Sequence, residues 1–288
     1  MIDRKFGLLG ATSLVGESLI PLLPTDDSEV HAFSRIPQAS EHSQLIWHQI
    51  LSIDSRVYDH IEDWFCLAPI WVLQEHFSML ESSGARRLVA LSSTSRFTKI
   101  ESSNEAEKAI AARLTEGEES LKAWAESKSI EWVILRPTLI YGHGRDKNIS
   151  EIIRFIRRFG FFPLLGKAHG LRQPVHVEDV AKACIAALES PSAVNRSYNI
   201  SGEETIPYSE MTSRVFAALN RSPRLLTIPF TVFSLVAACM RLLPRYRHWS
   251  VAMAERMNSD LVFDHSDAVR DFGYSPRPFL LSLEDLQR

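Results

Sequence analysis

Residues 4–35 read RKFGLLGATSLVGESLIPLLPTDDSEVHAFSR. A short apolar run from Phe6 to Leu9 gives way to small residues, and apolar positions then recur at Leu14, Val15, Leu19 and Leu22/Leu23, the spacing of one helix face. Pro24 stops that helix, and Glu29 to Arg35 forms a second strand. Strand, tight turn, helix and strand within about thirty residues is the unit that builds a parallel, doubly wound sheet. At the turn Gly7, Gly10, Ser13 and Gly16 follow one another at intervals of three. Small residues suit a place where main-chain amides at a helix start approach a pyrophosphate, because a bulky Cβ would hold it away. Gly10, Thr12, Ser13, Leu14, Val15 and Gly16 are therefore the expected phosphate cradle, with the Ser13 hydroxyl as an added donor. An ordinary tight turn uses the same residues, so the pattern gains its weight from standing between a first strand and a helix.

The end of the second strand bears on which dinucleotide would fit. An Asp or Glu there would accept from the ribose hydroxyls of NAD, whereas Ser34 and Arg35 suit a 2′-phosphate. NADP is the expected cofactor and NAD the alternative; Arg35 as a solvated loop residue is the competing reading.

With 288 residues, 45% hydrophobic and 23% charged, the chain can bury a full core as one large or two intimate domains. A net charge of −3 gives no basic field for nucleic acid and leaves a small-molecule substrate as the expected partner. Cys66, Cys184 and Cys239 are scattered in apolar surroundings and read as reduced buried thiols of a cytoplasmic protein. The histidines form no His-x-x-x-His pattern, so no metal site is expected. The start MIDRKFGLLG lacks the apolar run of a signal peptide, and the mature chain is expected to begin there. Residues 228–243, IPFTVFSLVAACMRLL, are too short and too early interrupted by Arg241 to span a bilayer. A buried helix is the expectation; an amphipathic helix resting on a membrane through 228–247, with Arg241, Arg245 and Arg247 toward headgroups, is the alternative.

Further strands appear at WFCLAP (64–69), RLVALSSTS (87–95) and SIEWVILRPTLIYGHG (129–144), with a helix through Leu73, Phe77 and Leu80 closed by Gly84. Ligands of open parallel sheets sit at the carboxyl ends of the strands. Ala68, Pro69, Ser92, Ser93, Thr94, Pro137, Thr138 and Tyr141 should therefore line one crevice. Glu116, Glu118 and Glu119, in a helix with Lys122, read as a solvated face. ISEIIRFIRRFGFF (149–162) gives an amphipathic helix with Ile152, Phe155, Ile156 and Phe159 on one face and Arg154, Arg157 and Arg158 elsewhere. VEDVAKACIAALES and YSEMTSRVFAALN are two more helices, with SYNISG a strand between them.

GATSLVG, RLVALSSTS, ILRPTLIYGHG and GLRQPVHVEDVA occur in the order and spacing of the extended and atypical short-chain dehydrogenases, and residues 4–200 resemble the NAD-dependent epimerase/dehydratase family. The resemblance implies an α/β fold: a Rossmann-type doubly wound parallel sheet over 1–145, with 172–202 returning to it. A smaller α-rich substrate lobe would comprise 146–171 and 203–288. It implies an oxidoreductase acting on a sugar nucleotide or related anionic carbohydrate, and allows a homodimer. The hydroxyl that assists proton transfer falls on Thr94, with Ser93 beside it, and the arginine that meets a substrate diphosphate falls on Arg172. For Arg172 a surface salt bridge is the competing reading.

The family's Tyr and Lys, four residues apart, would fall near Ile110 and Leu114, which are apolar, and no tyrosine in the chain has a lysine four residues on. Their loss would remove a general acid worth about a hundred- to ten-thousandfold in rate. Three readings follow. Lys99 or Tyr141 could supply the proton, although Lys99 also reads as a solvated loop residue. The substrate could need little acid assistance, as in relatives resembling isoflavone-type reductases. Or the chain could hold NADP without turning it over, like the dehydrogenase-like accessory subunit of respiratory complex I.

Overall fold

The computed structural model describes residues 4–24, 28–39, 43–50, 60–229 and 251–287. Its strands are β1 (Arg4–Leu9), β2 (Ser28–Ser34), β3 (Leu45–Gln49), β4 (Asp63–Cys66), β5 (Arg87–Leu91) and β6 (Glu131–Pro137). The short β7 (Ile140–Tyr141), β8 (Phe162–Leu165), β9 (Leu171–Arg172) and β10 (Val175–His176) follow, then β11 (Arg196–Ile200), β12 (Ile206–Pro207) and β13 (Leu225–Ile228). Seven of them form one sheet in the order β11-β6-β5-β4-β1-β2-β3, parallel throughout.

The sheet strands are apolar on both faces, as a parallel sheet covered on two sides requires. Phe6, Leu8, Val30, Ala32, Phe65, Val89, Val133 and Leu135 point to one face, beneath α1 (Leu14–Leu19) and α6 (Val177–Glu189). Trp64, Cys66, Leu88, Ala90, Trp132 and Ile134 point to the other, against the 3₁₀ turns Ile70–His76, α2 (Phe77–Ser82) and α4 (Glu105–Ser127). A four-residue α3 (Ser95–Thr98) precedes α4. β3 escaped the sequence reading because it is an edge strand whose residues Leu45 to His48 are all only half-buried, so it carries no clear alternation.

The remaining chain builds a second apolar cluster. Ile152, Ile153 and Ile156 of α5 (Ile149–Phe159) meet Met211, Val215 and Phe216 of α7 (Tyr208–Ala218), Met257 of α8 (Val251–Asn258) and Phe279. A last short helix, α9 (Ser266–Phe272), packs beside β11. In α5 the expected face is buried at Ile152 and Ile156, but Phe155 is half-buried and Phe159 is 51% exposed. The apolar helix expected from residue 228 begins instead as the end of β13, with Ile228 paired to Leu165. The rest of that stretch, with Arg241, Arg245, Arg247 and Cys239, lies outside the described residues. No helix among the described residues is long and apolar enough to cross a membrane. Cys66 and Cys184 are buried and unpaired, and burial pushes the Cys66 thiol up to about 12 and that of Cys184 up as well.

Candidate functional site

β1 ends at Leu9, and the chain turns at Gly10 with φ of +81°. That conformation disfavours any residue with a Cβ. Here a Cβ would also stand 2.7 Å from the Leu67 carbonyl carbon and closer still to the Ala68 amide, so the turn folds flat against the chain leaving β4. At Gly16 a Cβ would lie 2.5 Å from the Ala11 carbonyl oxygen. Ser13 caps α1: its amide donates to Gly10 O at 2.9 Å and its hydroxyl oxygen accepts from Gly16 N at 3.1 Å, leaving the hydroxyl proton free to donate. The amides of Leu14 and Val15 open the helix without an intrahelical acceptor. Thr12 is exposed, and Ser13 and Leu14 are half-buried. Converging amide donors at a turn that only glycines permit are chemically suited to a pyrophosphate. Arg145, from the loop after β7, pairs with Glu17 in the first turn of α1 and ties the second cluster to this helix.

Ser34, at the end of β2, is buried and its hydroxyl oxygen accepts from Ile36 N at 3.2 Å. Arg35 is exposed, and its carbonyl accepts from Gln49 Nε2 at 3.4 Å. Beyond β4, Ala68 is half-buried and Pro69 exposed. Beyond β5, Thr94 is buried and both its amide and its hydroxyl donate to Pro137 O, at 3.2 and 3.3 Å, so the ends of β5 and β6 are stitched together. Ser93 Oγ accepts from Ser95 N at 3.1 Å. Thr138 donates to Gln173 O at 2.5 Å, and its amide to Ile200 O at 3.0 Å. The carboxyl ends of β1, β4, β5 and β6 thus bring Gly10, Ala68, Ser92, Ser93, Thr94, Pro137 and Thr138 to one edge of the sheet.

The middle glutamate of α4 is not on a solvated face. Glu118 is completely buried. Its carboxylate accepts from Ser92 Oγ at 2.6 Å, from Arg136 Nη2 at 2.6 Å and Nε at 3.0 Å, and from Arg96. The guanidiniums of Arg96 and Arg136 lie 5.1 and 5.3 Å from the Phe97 ring centroid. Burial alone would raise the Glu118 pKa, but the bonds from Arg136 and Ser92 and the charges of Arg136 and Arg96 outweigh it and hold the carboxyl below the usual range. A signal was available: Ala111, Leu114, Leu121 and Ala125 form the buried stripe of α4, and position 118 falls on it. Ile110 and Leu114 pack into that same core.

Two expected site residues lie elsewhere, and a third, Lys99, stands at the end of α3 just after the hydroxyl cluster. Tyr141 is fully buried in the second cluster, its hydroxyl donating to Leu280 O at 3.3 Å and its ring edge-on to His176 and Phe279; burial, with Asp285 nearby, pushes its pKa up. It is a packing residue. Arg172 is buried with both terminal nitrogens donating to carbonyls, Nη1 to those of Leu171 at 2.7 Å and Ser259 at 2.8 Å and Nη2 to that of Arg256. It therefore holds the carboxyl end of α8 instead of reaching for a diphosphate. Lys99 is half-buried at the end of α3, where burial and the Arg256 charge lower its pKa. Among the described residues no group of three His, Cys, Asp or Glu side chains is placed to hold a metal ion.

Residues 75–201 match the NAD dependent epimerase/dehydratase family. Among curated proteins, the Arabidopsis thaliana mitochondrial NADH dehydrogenase [ubiquinone] 1 alpha subcomplex subunit 9 is 30% identical over 109 residues, 38% of this chain and 27% of that protein. UDP-glucose 4-epimerase of Vibrio cholerae is 26% identical over 121 residues, 42% of this chain and 37% of that one, so the chain spans well under half the length of either relative. Among solved structures, UDP-glucuronic acid 4-epimerase from Bacillus cereus in complex with NAD superposes with a TM-score of 0.73 at 15% identity, covering 98% of this chain and 95% of that one. The chain is thus a relative of the NAD dependent epimerase/dehydratase family through its matched sequence over residues 75–201, and it shares its fold with the Bacillus cereus enzyme over nearly its whole length.

Proposed function

We propose that the chain binds a nicotinamide dinucleotide, NADP in preference to NAD, and holds it without tyrosine-assisted turnover, as a structural or regulatory cofactor. The observation that carries this reading is a pairing within one sheet edge. An amide-lined glycine turn stands at β1, while the helix after β5 carries aliphatic Ile110 and Leu114, packed into the core, at the positions where the resemblance would put a tyrosine and a lysine. Thr94 supports it too, since its hydroxyl is buried and already bonded to Pro137 O. So does the likeness to a protein named as a subunit of NADH dehydrogenase. A reducing compartment such as the cytoplasm suits the two buried free thiols, and the stretch 228–247 would then serve as a contact to a membrane surface or a partner.

One observation favours a second reading, an oxidoreductase on a sugar nucleotide or similar anionic carbohydrate. The half-buried Lys99 ammonium, its pKa lowered, follows the hydroxyl cluster closely and could donate a proton. Calorimetric titration with NADP and NAD, followed by nicotinamide absorbance with a panel of sugar nucleotides, separates the two. Tight binding without turnover on any substrate is expected; turnover abolished by Lys99→Met would establish the second reading in its place. Arg35→Asp should weaken NADP by about ten- to a hundredfold, the worth of one charge-assisted hydrogen bond, and leave NAD nearly unchanged. Tighter binding of NAD than of NADP by the natural chain would overturn the choice of cofactor.

A further inference from the structure

Ser92 is the first residue after β5, half-buried at the carboxyl edge of the sheet, and its hydroxyl donates to Glu118 Oε1 at 2.6 Å. That carboxylate is completely buried and takes Arg136 and Arg96 on its remaining lone pairs. An ionised carboxylate can only accept, and a serine has one hydroxyl proton, so that proton is committed. Turning it toward the crevice would break a bond to a buried charge, the kind most costly to leave unmade. What the Ser92 oxygen has left to offer a ligand is lone pairs. Its neighbours differ: the Ser93 oxygen accepts from the Ser95 amide, and Thr94 is buried against Pro137.

The position of Ser92 along the sheet says which part of a dinucleotide would reach it. If the pyrophosphate sits at the β1 turn and the adenosine ribose beside Arg35 on the β2 side, the nicotinamide riboside would extend the other way, toward β4 and β5, which lie on the opposite side of β1 in the sheet order. Neighbouring strands lie about 4.8 Å apart, which puts β5 about 10 Å from β1, roughly the reach of one nucleoside.

We propose that Ser92 is an acceptor-only contact, held so by Glu118, and that it receives the N–H of the nicotinamide carboxamide; this rests on the reading that the chain binds a nicotinamide dinucleotide. The geometry selects an amide over a ketone at that point of the ligand, because a ketone brings no hydrogen to a site that has none to give.

The test is calorimetric titration of the natural chain and of Ser92→Ala with NADP and with its 3-acetylpyridine analogue, in which a methyl ketone of the same size replaces the amide. Ser92→Ala leaves Glu118 paired with both arginines, and the fold is expected to survive it. The natural chain should bind the analogue about five- to tenfold more weakly than NADP, the effect of one lost hydrogen bond that strands an acceptor. Ser92→Ala should bind both alike, at the level of the analogue. Equal binding of the two compounds by the natural chain, or a preference that persists in Ser92→Ala, would overturn the inference alone. Binding of neither compound would remove the dinucleotide reading beneath it, and the inference with it.

Discussion

Replacing Glu118 by alanine is expected to lower the free energy of unfolding by about 3–5 kcal/mol, because two guanidiniums lose the carboxylate they share. Arg136 donates to it from Nε and Nη2, and Arg96 joins from α3. Neither can regain full hydration, since their side chains are only 13% and 17% exposed. The loss reflects the stranded charges, so taking one cation away together with the anion should relieve it: Glu118→Leu combined with Arg136→Met is expected to recover much of the stability. Urea denaturation of the single and double variants would check both statements. The pH dependence has a definite sign. The folded-state pKa of Glu118 lies below that of the unfolded chain. Its contribution is therefore fully present above the unfolded value of about 4.3 and disappears as pH falls through the lower folded value. The gap between natural chain and Glu118→Ala should narrow on acidification below about pH 4. A gap independent of pH over that range would show that packing, not charge, is responsible.

The second large effect concerns binding. Gly10→Val should reduce dinucleotide affinity by at least about a hundredfold, because the turn that aims the Leu14 and Val15 amides cannot keep its shape. Two hydrogen bonds to a charged pyrophosphate are worth about 1.5–3 kcal/mol each, which sets that scale. The substitution forces a β-branched residue into φ of +81° and drives its Cβ into the Ala68 amide. Since the clash is with the β4 loop, some stability should be lost as well, so circular dichroism of the folded variant must accompany the titration. Native affinity in a folded Gly10→Val protein would mean that the phosphates are held elsewhere.

Different residues were legible in the sequence to different degrees, for physical reasons. The β1–α1–β2 unit could be read because its glycines, its apolar spacing and Pro24 are all local signals. The gathering of Ala68, Ser92, Ser93, Thr94 and Pro137 followed from topology, since parallel strands leave their carboxyl ends on one edge. Glu118 was misjudged because Glu116, Glu119 and Lys122 suggest a charged surface, while its partners Ser92, Arg96 and Arg136 lie on other elements. Only the apolar stripe of α4 hinted otherwise. Arg172 was misplaced for a related reason: its partners are main-chain carbonyls of Arg256 and Ser259, which no side-chain pattern reveals. Tyr141 followed an ordered strand end but turned inward, because the second cluster offered it His176 and Phe279 to pack on.

Amide hydrogen exchange in the presence and absence of NADP tests most directly whether the β1 turn grips a dinucleotide. Slower exchange on adding the cofactor is expected in the peptide carrying Leu14, Val15 and Gly16, with a smaller effect at the β5 end. Unchanged exchange at that turn under saturating NADP, or protection confined to other parts of the chain, would contradict it.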